Sequence, residues 1–453
     1  MIAFHLENAL RRLRRSPATT IVIVTSIALG IAVTMTMIAF YSGMNVDPLP
    51  HKNERLHRVL LDNWTAEKPY ADPDLAPPAL TLQDTRALRD AQVGAEHALH
   101  YHSVAFVARE QAAVKRKLKV STRAANAGFF KLFEPPFQYG AAWRDVSGGT
   151  REQVAVIART LNERLFGGSD SVGQQIEVNG VPFRIVGVLD QWDVYPLFYD
   201  MTREDLVGDD LFVPFDVAIE TLKLWPSFSA SPVASAGKSF DENFTGGQAV
   251  FVQFWVDLES PAALDDYRRF LAVYLAEQRR LGRFPRNAPP ELLAIPEWIE
   301  RQQKTGNQSV FMLTLIAVGL LFFGVCLLNI VTLMITRFMG NAGSVSVMRA
   351  LGAPRSSVFV EHMLEAGLLG VIGGALGLAL TRVGVELLGP LFLGVDEGGT
   401  GASLAGATDF AALLSGEVLL LGVCIAILGA LLVALYPTWK VCRIAPTQYL
   451  KSL

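Results

Sequence analysis

Three histidines, His97, His100 and His102, sit close enough together to suggest a metal site, because imidazole is the commonest transition-metal ligand. Their spacing matches no closed zinc pattern, and no cysteine lies nearby to complete one; Cys326, Cys424 and Cys442 all fall in the last third. An ordinary polar surface, with no metal, is the expectation. Ala236-Gly237-Lys238-Ser239 looks like the end of a phosphate-binding loop, yet Pro232 stands where its first glycine is required. No other such loop exists, so this chain is not expected to hydrolyse ATP itself, and no cofactor is expected in it. Glu361, His362 and Glu365 border an apolar run. An ion relay is one reading; the other, preferred, puts them in water-reaching first turns of a helix, where acids favour the dipole. No paired carboxylates and no Ser/His/Asp or Cys/His arrangement stand out, so no catalytic residue is expected.

Two further clusters have bland readings. Val114 to Val120 puts Lys115, Lys117 and Lys119 on one face of a strand, which fits a solvated edge. Trp192, Tyr195, Phe198 and Tyr199 fit packing under a loop.

The elements that carry these residues follow from composition. The 453 residues are 51% hydrophobic and 18% charged, against about 25% charged in a typical soluble domain. A formal net charge of −3 argues against nucleic acid as a partner. The missing charge is concentrated in apolar windows at Ile21 to Phe40, Ser309 to Thr336 and Val418 to Tyr436. A fourth, Ala366 to Thr381, reaches full length if its helix begins near Val358. Each then approaches the roughly 20 helical residues that cross about 30 Å of hydrocarbon. The first window is too long for the apolar region of a cleaved signal peptide and is expected as a retained anchor, despite the preceding Arg11, Arg12, Arg14 and Arg15.

Four transmembrane helices result, with a large α+β extracytoplasmic domain between the first two. The expected boundaries are a tail at 1–20, spans at 21–42, 309–336, 358–381 and 418–437, an outer domain at 43–308, a cytoplasmic segment at 337–357, an outer loop at 382–417 and a tail at 438–453. Segments 1–20, 337–357 and 437–453 together hold ten Lys/Arg and one acid, Glu7; Val383 to Glu417 holds five acids and no base. Basic flanks mark the cytoplasmic side, so both termini are expected inside and the 43–308 domain outside.

Within that domain, Gln174 to Asp190 predicts a hairpin turning at Asn179-Gly180, with Pro182 confined to an edge. Val154 to Ala158 predicts a strand, Arg159 to Phe166 a helix and Ala249 to Leu258 a strand. Ser260-Pro261 predicts the cap of a helix whose apolar face is Leu264, Tyr267, Phe270, Leu271 and Tyr274. Two α+β subdomains are expected, ending in a stalk helix at 291–308 that begins with Glu291 to Lys304. Gly370, Gly373, Gly374 and Gly377 form overlapping small-xxx-small spacings; intra-chain packing and self-association both fit, and Asn329 is expected with them as a transmembrane packing residue.

The layout resembles the MacB/FtsX-type permeases of ABC transporters, and motifs along nearly the whole chain carry the likeness. Val154 to Leu189 is similar to the family's periplasmic core signature, with Phe166-Gly167, Val172-Gly173, Asn179-Gly180 and Val186-Gly187-Val188 in place. Asn329, then Arg337, then Arg349-Ala350-Leu351-Gly352-Ala353 match the run into the family's cytoplasmic coupling helix. Glu365 falls where the third span often carries a glutamate, and Tyr436-Pro437 with Arg443-Ile444-Ala445-Pro446 fit the C-terminal signature. One departure is Ser344-Val345-Ser346-Val347, where the family usually carries an acidic residue followed by Ile-Gly-Ile. It is compatible with a diverged half of a heterodimer.

The resemblance implies a bacterial inner-membrane permease subunit that works as a homo- or heterodimer with a separate ABC ATPase. Its ATPase contact would include Arg337, Ser344, Val347 and Arg349 to Ala353. It implies mechanotransmission: the ATPase pair drives the coupling helix, and the second span with its stalk moves the outer domains to export or release an antibiotic, peptide or lipoprotein. A tripartite system would add a periplasmic adaptor and an outer-membrane channel. The alternative is a non-transporting transducer that regulates an outer cell-wall hydrolase or sensor. A membrane-anchored enzyme lacks any supporting constellation.

Overall fold

The computed structural model describes residues 16–43, 49–65, 68–71, 75–91, 93, 96–109, 117–145, 151–192, 194, 197–203, 208–233, 237–305, 308–340, 342–350, 352, 354–392 and 416–442. They form two units, the membrane helices and the domain between the first and second of them.

The membrane unit contains α1 (Pro17–Gly43), and beyond the large domain α8 (Gln308–Gly340), α9 (Ala342–Ala350), α10 (Arg355–Phe392) and α11 (Gly416–Cys442). Four of these are long and apolar enough to cross a membrane, over Pro17–Ser42, Leu313–Gly340, Arg355–Leu388 and Leu419–Cys442. The segment expected at 337–357 is shorter as a separate element. Arg337 still belongs to α8 and Arg355 already to α10, leaving α9 as the connecting helix.

Glycines set how closely the spans approach. A Cβ on Gly373 would lie 2.7 Å from Ile27 of α1, and one on Gly377 2.8 Å from Ile31. On the other face, a Cβ on Gly370 would lie 2.8 Å from Ala430 of α11, and one on Gly374 2.7 Å from Ala426. The four glycines therefore form two stripes seating α10 against two different helices, the intra-chain alternative of the two. Gly30 of α1 receives the ring of Phe323 from α8, and Thr34 donates to the Gly319 carbonyl at 3.0 Å.

The other unit is built on one mixed sheet. Its strands are β1 (Leu56–Leu60), β2 (Leu80–Thr81), β3 (Glu96–Arg109), β4 (Leu118–Ala125), β5 (Phe137–Gly140), β6 (Val154–Ile157), β7 (Gln175–Val178), β8 (Val181–Leu189), β9 (Leu211–Pro214), β10 (Val250–Asp257) and β11 (Glu291–Ala294). The order is β11-β1-β10-β3-β4-β9-β6-β8-β5, with β2 on β10 and β7 bridging β3 and β8. The β4–β9 and β6–β8 pairs are parallel and the rest antiparallel. Nine strands form the path, and β2 and β7 attach to it within the same eleven-stranded sheet. Its helices are α2 (Leu82–Asp90), α3 (Gly128–Phe133), α4 (Arg159–Phe166), α5 (Phe215–Glu220), α6 (Pro261–Arg280) and α7 (Ile295–Thr305).

Alternation along the strands feeds two cores. Leu99 and Tyr101 of β3, with Phe254 of β10 and Tyr267 and Leu271 of α6, belong to one. Ala98 and Trp255 join Phe129, Phe133, Tyr199 and Trp298 in the other. The hairpin turns where its two central residues meet the positive φ of a tight turn, 51° at Asn179 and 87° at Gly180. Pro182 pairs only with Glu177 of β7, as its missing N–H demands. Ser260 caps α6 by accepting from the Ala263 amide.

The stalk departs from expectation. Glu291–Ala294 is a strand paired with β1, and the helix starts only at Ile295. Leu292 is buried on the sheet, so tertiary pairing overrides local helix preference there.

Candidate coupling site

Between the second and third spans, α9 is a short connecting helix. It ends at Ala350 and is followed by Gly352, whose φ of +97° suits a residue without Cβ and whose amide bonds the Arg349 carbonyl at 3.1 Å. Val345 and Ser346 are buried, Arg349 is half-buried, and Val347 is 43% exposed, leaving an apolar residue facing outward from a short helix. Arg349 Nη1 donates to the Cys442 carbonyl at the end of α11, 3.3 Å away, and Cys442 Sγ lies 3.8 Å from the Arg355 carbonyl. The C-terminal end of α9 is thus tied to α11. Leu351 and Ala353 lie outside the described residues, as do the side chains of Ser344 and Ala350.

A buried ionic group sits beside it. Arg337 Nε approaches Glu365 Oε1 at 2.8 Å, with both side chains almost fully enclosed, and Arg337 Nη1 donates to Thr20 Oγ1 of α1 at 2.7 Å. His362 bonds the Val358 carbonyl through Nδ1 at 2.8 Å and meets the ring of Phe338 edge-on. Glu361, His362 and Glu365 are each no more than 3% exposed. The expectation that they reach water is therefore corrected: they face the other helices, and Glu365 lies against a cation. Three helices, α1, α8 and α10, meet at Arg337.

In the outer domain the histidines also depart from expectation. His97 stacks on Phe254, on the opposite face of β3 from His100 and His102, because two-residue periodicity separates odd from even positions. His100 and His102 are buried, not on a polar surface. They flank Arg123 of β4, itself fully buried. Arg123 donates to both oxygens of Asp209, at 2.9 and 3.2 Å, and to Asp200. Arg203 donates to Asp209 at 3.0 Å, and Gln253 of β10 donates to Asp200 at 3.1 Å. His102 Nε2 lies 2.9 Å from Ser121 Oγ, which donates to Asp209, a chain of donors ending on the carboxylate. Burial alone would raise the two aspartates, but the guanidinium charges of Arg123 and Arg203 outweigh it and hold both below the usual carboxylate range. Burial pushes His102 down to about 3 and His100 well below its ordinary value, with Arg203 and Arg123 respectively adding to the effect. No group of three or more metal ligands occurs among the described residues. The cluster pins the segment carrying Asp200 and Asp209 onto the sheet.

That segment also holds α7. Trp298 Nε1 donates to the Phe198 carbonyl at 2.9 Å. The Arg58 guanidinium lies 3.9 Å from the centre of the Trp298 ring and donates to the carbonyls of Tyr199 and Pro78. Arg301 reaches the Ala76 carbonyl at 2.9 Å and pairs with Glu291. Trp192 stacks on buried Tyr199, as the packing reading of the aromatic stretch requires; Tyr195 lies outside the described residues. Lys119 is an exposed strand residue, Lys117 precedes the strand, and Lys115 lies outside the described residues.

The core-motif residues sit at turns and close approaches. Phe166 lies under the Arg109 guanidinium, 5.0 Å away, and Gly167 ends α4 with a left-handed backbone. Gly173 bonds the Ile185 carbonyl at 2.8 Å. A Cβ on Gly187 would lie 2.7 Å from the Ala141 carbonyl oxygen, so only glycine allows that contact. Asn329 faces outward from α8 and is exposed.

Comparison with known proteins agrees with this layout. Residues 20–270 match the MacB-like periplasmic core domain, and residues 316–446 match the FtsX-like permease C-terminal domain. A relative named macrolide export ATP-binding/permease protein MacB, from Rhodopirellula baltica, is 25% identical over 253 residues, 52% of this chain and 34% of that protein. Its counterpart in Bdellovibrio bacteriovorus is 23% identical over 61% of this chain and 37% of its own. The pyoverdine export ATP-binding/permease protein PvdT of Pseudomonas aeruginosa is 24% identical over 58% of this chain and 35% of its own length. The chain thus spans about a third of the length of these relatives. The crystal structure of the periplasmic region of MacB from Actinobacillus actinomycetemcomitans aligns over 58% of this chain and 98% of that one, at 11% identity and a TM-score of 0.35. With a core-domain match covering more than half its length and a permease match over its last spans, the chain belongs to the MacB/FtsX-type ABC transporter permease family.

Proposed function

We propose that this chain is the membrane subunit of an exporter that converts ATP hydrolysis by a separate ABC ATPase into movement of its outer domain. The observation that carries the reading is α9. It is short, anchored to the spans through Arg349, and presents Val347 outward. Displacing such an element acts on α8 and α10 directly, because helices transmit displacement with little compression and packed interfaces switch between discrete arrangements. The second span and α7 then carry the displacement outward, supported by the anchoring of α7 through Trp298 and Arg301. Relatives named for macrolide and pyoverdine export favour a small amphiphilic cargo. ATP and Mg are bound by the partner, two permease subunits act together in the inner membrane, and both termini face the cytoplasm.

Co-expression with candidate ATPases and affinity capture of the full chain tests this. An ATP-binding subunit is expected to co-purify, and Ala350→Pro, which removes the last helical N–H of α9, is expected to abolish its recovery while the permease still reaches the membrane. Recovery unaffected by Ala350→Pro removes α9 as the contact.

A further inference from the structure

Asn329 is the sole asparagine or glutamine in the four spans. It lies about 16 Å from the inner end of α8 at 1.5 Å per residue, within hydrocarbon depth. Its side chain is exposed and makes no hydrogen bond to any described residue. The threonines on the same face differ. Thr314, Thr332 and Thr336 each return a hydrogen bond to the carbonyl four residues back, at 2.7, 3.4 and 3.0 Å, and so are satisfied in lipid without help. An amide left bare in hydrocarbon costs several kcal/mol. Its surroundings show which way it faces. Val318, Leu321, Val325, Asn329, Thr332 and Thr336 are all exposed, and at about 100° per residue they fall within about 80° of arc. The steps of three and four residues are those of a helix–helix seam.

We propose that this stripe of α8 is the contact with the same stripe of a second copy of the chain, closed by an Asn329–Asn329 hydrogen-bonded pair. A primary amide carries both donors and an acceptor, so across a two-fold axis it is complementary to itself, as an isologous interface requires. An unrelated apolar partner would leave the amide bare. Lipid would do the same. The proposal rests on the reading of the chain as one of a pair of permease subunits and assigns the face on which they meet.

The test is cysteine cross-linking of the full chain in native membranes, after Cys326, Cys424 and Cys442 are replaced by alanine. Val325→Cys is expected to give a disulfide-linked homodimer, whereas Leu432→Cys, on an exposed part of α11, gives little. Adding Asn329→Leu, a change lipid tolerates, is expected to weaken the Val325 product about threefold to twentyfold, the range measured for interhelical hydrogen bonds in membranes, and Asn329→Gln to restore part of it. Equal products at Val325 and Leu432, a Val325 product indifferent to Asn329→Leu, or a product whose second chain is a different permease each overturns the proposal. If the ATPase still co-purifies in any of those cases, only this interface is lost; if it does not, the functional reading fails separately.

Discussion

His100 and His102 are buried neutral beside Arg123, and that fixes how the outer domain responds to acid. Unfolded, each binds a proton near pH 6.5; folded, His102 does so only near 3. The unfolded chain therefore binds more protons below pH 6.5, and stability is lost as the pH falls through that window, at up to about 1.4 kcal/mol per pH unit for each histidine. Intrinsic tryptophan fluorescence of the detergent-solubilised chain, which reports buried Trp255 and Trp298, is expected to show the denaturation midpoint dropping between pH 6.5 and pH 5. His102→Gln is expected to flatten part of that slope. A slope the same in wild type and His102→Gln would show that His102 is protonated when folded. Sequence reading misses this burial for a definable reason. The partners Asp200 and Asp209 arrive from about a hundred residues away, and a strand covered by apolar cores on both faces loses the alternation that normally separates inside from outside. The burial of Glu365 is hidden from sequence in the same way, because its partner Arg337 comes from another helix.

At the scale of elements, legibility tracks how local the cause is. The Asn179-Gly180 hairpin, the Ser260 cap and the four spans rest on short-range chemistry or on hydropathy, and the structure has all of them where the residues indicate. The strand at Glu291–Ala294 was hidden because β1, its partner, lies more than two hundred residues earlier. The glycines of α10 fall between these cases. Their spacing signals close packing, while the assignment of Gly373 and Gly377 to α1 and of Gly370 and Gly374 to α11 needs the fold. That division has a measurable consequence. Gly373→Val places a branched side chain where even a Cβ is 2.7 Å from Ile27, and overpacking of this kind costs about 1–3 kcal/mol. A thermal midpoint lower by several degrees is expected for the solubilised protein. A disulfide engineered between α1 and α10 is expected to form more slowly in that variant. An unchanged midpoint and rate would mean that α10 does not seat on α1 through this stripe.

For the whole molecule, the distribution of charge makes a claim that packing within the units does not reach. Ten Lys/Arg lie in the segments 1–20, 337–357 and 437–453, and none between Val383 and Glu417. Retaining basic flanks inside is the strongest sequence-readable determinant of orientation. With an even number of spans, one assignment fixes all the connections, and the proposed one puts both termini and α9 inside and the domain of β1 to β11 outside. A single cysteine at Gly401, in the acidic connection beyond α10 and outside the described residues, reads that assignment directly once Cys326, Cys424 and Cys442 are replaced. Labelling by a membrane-impermeant maleimide is expected in intact spheroplasts, and a cysteine at Val347 is expected to react only after lysis. The reverse pattern would place α9 on the outer face, out of reach of any cytoplasmic ATPase, and the coupling role would fall with the topology.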